Sequence, residues 1–390
     1  MSNNFDRTKQ KIGIIGGGQL GKMMILEAQK MDIYTIIIDP TADCPADSIA
    51  NEHIIADFDD EKAIRSLAEK CDVITYEFEH IGVKVLKELE SEGYKVYPTA
   101  ASLETIQNKF TQKTTLLKEE IPVPDFIQVK NIEDIISAGE KLGYPMMLKS
   151  CTGGYDGKGN VVIKGQNSVK NAYYKLGAGK HPLMVERFVP FKKEISVLVC
   201  RDIKGDVTVY PVGENDHRDN ILYETKVPAD ISSGLTDMAM ELAHQVMEVF
   251  KGVGMFCIEM FVTENDELLI NEIAPRPHNS GHYTIEGCMT SQFEQHIRAV
   301  AELPLGNTGL LRPTVMRNIL GTGNEGQAEV IGIDEALKIP GVQVHIYGKK
   351  TSRPKRKMGH ITVRAEDLDT AVEYALNASQ TVKIVGNSSS

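Results

Sequence analysis

The residues with the most chemistry in this chain lie between Phe256 and His282, in F-C-I-E-M-F-V-T-E-N-D-E-L-L-I-N-E-I-A-P-R-P-H-N-S-G-H. Two apolar runs, Phe256–Thr263 and Leu268–Ala274, flank the turn formers Glu264, Asn265 and Asp266, a pattern that predicts a β-hairpin. Each run carries an acid among apolar neighbours, Glu259 in the first and Glu272 in the second. A lone carboxylate is costly to bury, and two that face each other repel unless a cation sits between them. Glu259, Glu272 and the amide of Asn271 offer hard oxygen ligands of the kind that suits Mg²⁺ on nucleotide phosphates. Taken singly, either acid also fits the solvent face of an amphipathic hairpin, because strand faces alternate. The sequel weighs against that reading. Arg276, His278, Asn279, Ser280 and His282 crowd a Pro- and Gly-shaped loop just past the second acid, a composition that suits a substrate site.

These groups need a scaffold that brings a ligand to the hairpin. Lys11–Ile15 reads as a short apolar strand running into G-G-G-Q-L-G (Gly16–Gly21), a helix over roughly Gln19–Met31, and a second strand, Tyr34–Ile38, ending at Asp39. A G-x-G-x-x-G after a strand, with an acid about 20 residues on, is the dinucleotide fingerprint. The glycines serve a tight turn and close helix–strand packing whatever the ligand, and helix N-termini take many anions. The motif therefore predicts a Rossmann-like βαβ domain and leaves its ligand open. Strands at His53–Ile55, Val73–Tyr76 and Lys95–Tyr97 alternate with helices at Asp60–Lys70 and Val83–Glu92, which implies a mostly parallel sheet. Ligands of such sheets gather at strand carboxyl ends, where Gln19-Leu20 and Glu77-Phe78-Glu79 fall; Glu79 alone also reads as an ordinary acid opening a helix.

A helix over Leu103–Glu120 carries Lys109 and Lys113 and stops at I-P-V-P-D (Ile121–Asp125), since proline excludes helix interiors and disfavours helix just before it. After a helix near Ile132–Leu142, the strand Pro145–Ser150 holds Lys149 among apolar residues, where a lysine either snorkels or is kept for an anion. C-T-G-G-Y-D-G-K-G (Cys151–Gly159) follows, and a strand Asn160–Lys164 closes the unit. Such a loop can lay backbone N–H groups over phosphates. It is not a Walker A loop, because no G-K-[ST] opens a helix, and a plain flexible hairpin is the alternative. Further strands are predicted at Pro182–Val189, from Glu194, and at Asp206–Val212, followed by a polar loop, Gly213–Asn220, that holds His217. By itself a loop histidine is ordinary surface. Helix Leu235–Val253 leads into the hairpin, and from about Leu311 the chain reads as a small α/β domain with a basic cluster, K-K-T-S-R-P-K-R-K (Lys349–Lys357).

A chain of 390 residues, 42% of them hydrophobic, has core enough for two to three domains. A net charge of −11 argues against a general nucleic-acid binder. No apolar run is long enough to span a bilayer, and the polar N-terminus lacks the apolar core of a signal peptide. The six cysteines are scattered with no C-x-x-C pair, which fits reduced thiols in a cytoplasm rather than a disulfide framework or a zinc site.

Taken in order, G-G-G-Q-L-G-x-M, G-G-Y-D-G-K-G, N-E-x-A-P-R-P-H-N-S-G-H and R-P-K-R-K-M-G-H resemble the ATP-grasp ligases over nearly the whole chain. Within that superfamily the chain is similar to the N5-carboxyaminoimidazole ribonucleotide synthetases, the bicarbonate-using enzymes of purine biosynthesis. The resemblance implies an α/β ATP-grasp fold with a Rossmann-like preATP-grasp domain (1–105), an ATP-grasp domain (106–310, with a lid about 122–190) and a small C-terminal α/β domain (311–390). It implies that Lys109, Lys149 and the loop Gly153, Gly154, Tyr155, Asp156, Gly157, Lys158 and Gly159 hold ATP phosphates. Glu186, Arg187, Phe188 and Val189 would meet adenine and Glu194 the ribose, with His217 and Asn271 completing the ATP set. Glu259 and Glu272 would ligate Mg²⁺. Tyr155, Asp156, Arg276 and His278 would surround bicarbonate and the intermediate, and Gln19, Leu20, Glu79, Asn279, Ser280, Lys349 and Arg356 would bind 5-aminoimidazole ribonucleotide. Lys109, where relatives often carry arginine, keeps the charge and gives up a bidentate grip. The implied activity is ATP-dependent carboxylation of the ribonucleotide through carboxyphosphate, by a cytoplasmic homodimer with no nucleic-acid or membrane partner. Three rivals stand beside it: a formate-using glycinamide ribonucleotide transformylase, a NAD dehydrogenase resting on Gly16–Gly21 and Asp39, and a non-catalytic nucleotide-binding module.

Overall fold

The computed structural model describes residues 10–154 and 159–387. Its first sheet has four parallel strands in the spatial order Glu52–Ile54, Tyr34–Ile38, Lys11–Ile15, Val73–Tyr76. The inner strands are almost wholly buried, as near-continuous apolar runs require when helices cover both sheet faces. Gly16 turns the first strand into helix Gln19–Gln29 with φ +110°, and a Cβ there would lie 2.3 Å from Cγ of Glu77. This is the Rossmann-like domain expected, except that the segment Lys95–Tyr97 makes a single bridge, Val96 to Ile74, rather than a strand.

The helix expected over Leu103–Glu120 is two helices, Ala100–Gln107 and Lys109–Lys118. Asn108 breaks them with an extended backbone, and its side-chain oxygen accepts from Phe110 N and Thr111 N. An asparagine satisfies the orphan donors of a helix start better than it fills a helix interior. Beyond Pro122 and Pro124 a small antiparallel sheet runs Phe126–Val129, Leu183–Arg187, Met146–Ser150, Asn160–Ile163. Helices Ile132–Leu142 and Val169–Lys175 close its own core around Leu148, Val185 and Ile135.

The third sheet has twelve strands and begins Leu268–Ala274, Gly254–Thr263, Phe191–Arg201, Gly213–Arg218, Ile221–Val227, Thr314–Gly323. Helix Ser233–Phe250 packs on it through Val246, Ile258 and Ile270. Pairing of Ile221–Val227 with Thr314–Gly323 continues this sheet into the C-terminal region, where helix Leu368–Thr381 covers it. Gly213–Asn220, expected as a polar loop, is mostly strand: Gly213–Arg218 pairs on both sides. Its polarity misled, because a strand held between two neighbours alternates in burial without needing an apolar face. Among the described residues no helix is long and apolar enough to cross a membrane.

Candidate active site

The hairpin register sets Glu259 directly opposite Glu272, with a bulge between Glu259 and Met260. Burial pushes the Glu259 carboxyl up to about 7; His217 opposes the rise, and the charges of Glu272 and Glu194 add to it. Lys109, the first residue of its helix, donates to Glu272 from the other side. Burial works against the Lys109 ammonium and Glu272 outweighs it, so its pKa stands above the ordinary value. The backbone N–H of Lys109 also donates to Cys151 O at 2.8 Å, which fastens the helix start to the root of the glycine-rich loop.

Past the second acid, the Arg276 guanidinium grips Glu79 of the first domain, Nε to Oε2 at 2.6 Å and Nη2 to Oε1 at 3.3 Å. Burial pushes the Glu79 carboxyl up, but Arg276 prevails and holds it at about 2. His278 is held by its backbone: Gln292 accepts from its N–H at 2.9 Å and donates to its carbonyl at 2.7 Å. The Ser280 N–H donates to His278 Nδ1 at 3.3 Å, which leaves the ring proton on Nε2, 3.7 Å from Glu259 Oε1. Burial first, then the Arg276 charge, push the His278 pKa well below its ordinary value, so the ring is neutral. Ser280 is buried, and its hydroxyl accepts from Ser196 Oγ at 2.9 Å. On the adjoining strands His217 Nδ1 lies 2.8 Å from Glu194 Oε2. Burial disfavours the charged imidazole, and Glu194 outweighs that and raises its pKa.

Behind this hairpin, Lys149 and Glu186 come from neighbouring strands of the small sheet and pair at 2.7 Å, with Lys149 Nζ 3.4 Å from Asn271 Oδ1. Gly153 and Gly159, at the two ends of the loop, have φ +76° and +92°. Tyr155, Asp156, Gly157 and Lys158 lie outside the described residues. Arg187 is exposed and turned to the rim of its sheet, where it donates to Asp125 at 2.9 Å and to Leu142 O at 2.6 Å; Phe188 is half-buried and Val189 buried.

Toward the first domain, Gln19 and Leu20 open their helix. Asn279 exchanges hydrogen bonds with Asn318 at 2.6 and 3.0 Å. Lys349 donates to Lys357 O at 2.7 Å, and Arg356 donates to Thr351 O at 2.6 Å and Oγ1 at 2.7 Å, so both cations sit on one braced loop. Lys350 pairs with Asp43 of the first domain and Lys355 with Asp219 of the central sheet. The fingerprint glycines have an internal occupant. Glu77 accepts from Gly18 N at 2.5 Å and Gly21 N at 2.7 Å, and Asp39 from Gly17 N at 2.9 Å. A carboxylate thus holds the helix N-terminus that a dinucleotide pyrophosphate would need.

Glu77, Gln292, Ser196 and Asn318 brace the site without having been assigned to it from sequence. Glu77 was legible as a second acid at the strand end that bears Glu79; the others carry no local signal, since a buried Gln or Ser shows its partner only when the fold is formed.

An acid pair on a sheet hairpin, with Lys109 of a helix on one acid and Lys149 of a second, smaller sheet beside Asn271, is the arrangement of an ATP-grasp ligase. Residues 114–293 match the ATP-grasp domain, residues 9–107 the ribonucleotide synthetase preATP-grasp domain, and residues 314–374 the phosphoribosylaminoimidazole carboxylase C-terminal domain. Over 369 residues the chain is 42% identical to the N5-carboxyaminoimidazole ribonucleotide synthase of Staphylococcus aureus (strain COL), covering 94% of this chain and 96% of the relative. The crystal structure of N5-carboxyaminoimidazole ribonucleotide synthetase from Thermotoga maritima matches with a TM-score of 0.89 at 48% identity, over 97% of this chain and 100% of that one. The Aspergillus clavatus N5-carboxyaminoimidazole synthase, solved in complex with ADP and 5-aminoimidazole ribonucleotide, matches with a TM-score of 0.89 at 36% identity, over 96% and 99%. The chain belongs to the N5-carboxyaminoimidazole ribonucleotide synthase family.

Proposed function

We propose that this chain carboxylates 5-aminoimidazole ribonucleotide with bicarbonate at the expense of ATP, releasing ADP and phosphate. The observation that carries the reading is the opposed pair Glu259–Glu272, with Lys109 on one flank and the Glu79–Arg276–His278 group on the other. Nucleotide and ribonucleotide would meet across it.

Bicarbonate is a poor electrophile. One of its oxygens would attack the γ-phosphorus, the bond to the β-phosphate oxygen would break, and ADP would leave. The carboxyphosphate formed would lose phosphate as the ribonucleotide amine takes the carbon, directly or after CO₂ is released, and the amine would shed its proton. Lys109, Lys149 and the backbone of 153–159 would hold and neutralise the phosphates by position and charge. Glu194 and His217, which pair at 2.8 Å, would hold the nucleotide sugar, and Glu186 would meet its base. Arg276, fixed by Glu79, would orient bicarbonate, and neutral His278 would offer its Nε2–H. Tyr155 and Asp156, in a loop suited to exclude water, are proposed to meet the intermediate. Gln19, Leu20, Glu79, Asn279 and Ser280 would meet the ribonucleotide, and Lys349 and Arg356 its 5′-phosphate.

The residues present fit Mg²⁺. Two opposed carboxylates, one with its pKa raised by burial and like charge, are a site that a cation relieves. Among the described residues no group of three His, Cys, Asp or Glu could hold a metal alone; phosphate oxygens would complete the ligands. Glu259 and Glu272 would hold the ion, and its charge would stabilise the phosphoryl group. A cytoplasmic homodimer, divided at about residues 105 and 310, is the working form proposed on the resemblance.

The test is phosphate release with each amine and acid in turn. 5-Aminoimidazole ribonucleotide plus bicarbonate should support it, and equal rates with glycinamide ribonucleotide plus formate would overturn the assignment.

A further inference from the structure

Lys113 is a buried cation for which the proposed mechanism has no use. It sits one turn after Lys109 on helix Lys109–Lys118 and is 1% exposed. Its Nζ lies 3.0 Å from Glu186 Oε2 and donates to Ile270 O at 3.2 Å. The other oxygen of the same carboxylate takes Lys149 at 2.7 Å. Glu186 is therefore shared by two lysines from different bodies: Lys113 from the core helix, and Lys149 from the adjacent strand of the small sheet. Side-chain exposures of 1%, 3% and 9% for Lys113, Glu186 and Lys149 make this a nearly dry cluster with two positive charges and one negative.

The oxygen facing Lys113 meets it as an ion pair at 3.0 Å. Burial pushes the Glu186 carboxyl up, and Lys113 and then Lys149 outweigh it and keep the group ionised. With only Lys149 beside it, Glu186 would hold that lysine as its sole counter-ion. A lysine that left for a phosphate would then strand a bare buried carboxylate, the costly outcome of breaking a buried pair.

We propose that Lys113 is a positioning residue of the nucleotide site: it neutralises Glu186 from the core side, so that the Lys149 ammonium is free to turn to the nucleotide phosphates. This rests on the reading that Lys149 meets those phosphates. The surplus cation of the cluster then faces the ligand that can compensate it. Since Lys113 also donates to Ile270 O, next to Asn271 and Glu272 on the hairpin, it ties the small sheet, helix and acid pair at one point.

The test compares wild type, Lys113→Met, Glu186→Gln and the double variant, with ADP affinity by calorimetry, steady-state kinetics with ATP, and thermal melts. Lys113→Met should raise the ADP Kd and the ATP KM about tenfold, less than the loss seen when a buried charge pair is broken outright, because Lys149 still answers Glu186. The kcat at saturating ATP should stay within about threefold, because the phosphates, once bound, still draw Lys149. In the Glu186→Gln background the same change should move the Kd less than about twofold, since the charge it answers is gone. A purely structural bolt would lower the melting temperature and leave the Kd of folded protein unchanged, and that result overturns the proposal, as does an equal loss in both backgrounds. If Lys113→Met does not fold, Lys113→Gln takes its place with the same expected Kd, and an unchanged Kd there is equally fatal. If wild type fails to bind ADP, the nucleotide reading falls instead.

Discussion

Glu259 and Glu272 show how one residue's environment predicts its behaviour. Glu272 is bound by Lys109, Glu259 is not paired so closely, and burial pushes the Glu259 carboxyl up to about 7. Because that carboxyl titrates at about 7 and a metal ion needs the ionised form, Mg²⁺ must displace a proton below that pH. Apparent Mg²⁺ affinity in the presence of ADP should therefore rise as pH is raised through about 7 and level off above it, and Glu259→Gln should remove the dependence. A flat profile in wild type would contradict the assignment of that ligand. Glu272→Ala should lower kcat at least about 10²-fold, the scale of losing one group that stabilises transition-state charge. The cooperative melt should survive, since Glu272 is partly exposed and its loss also relieves repulsion on Glu259. Near-normal turnover at saturating Mg²⁺ would argue against a metal role.

At the scale of elements, much of the site was readable because it follows local rules. The hairpin with its acids, the parallel βαβ units and the lysine strand all came from periodicity and turn chemistry, and the structure has them with boundaries shifted by a residue or two. The failures have physical causes. Asn108 ends one helix and starts another, a choice that a run of helix formers conceals. Gly213–Arg218 is a strand whose side chains are all polar, so it lacks the apolar alternation that marks strands. Glu77 was legible as an acid at a strand end, but that it fills the anion position of the fingerprint glycines, 56 residues from Gly21, shows only when the sheet is formed. The Asn108 cap is itself testable. Asn108→Ala should cost about 1 kcal/mol of stability, as lost caps do, measured by denaturant titration. Because Lys109 is the next residue, the ATP KM should rise as well. A stability loss with an unmoved KM would show that the helix start does not set the lysine's position.

Across the whole molecule, the C-terminal region extends the central sheet and reaches back to the first domain through Lys350 and Asp43. Lys349 and Arg356 sit on the same C-terminal loop as Lys350, and they are the cations proposed for the ribonucleotide phosphate. Charge-assisted contacts to a phosphate are worth roughly 1.5–3 kcal/mol each, so Lys349→Ala and Arg356→Ala should each raise the ribonucleotide KM about tenfold or more and leave the ATP KM nearly fixed. Unchanged ribonucleotide KM values in both variants would place the phosphate elsewhere. The proposed reaction moves the γ-phosphoryl group to bicarbonate before carbon reaches nitrogen. Turnover with ¹⁸O-labelled bicarbonate, unlabelled ATP and 5-aminoimidazole ribonucleotide tests it directly. Mass spectrometry of the released phosphate should find an oxygen derived from bicarbonate. Phosphate labelled only when the solvent water carries ¹⁸O would mean that ATP is simply hydrolysed, and would contradict transfer to bicarbonate.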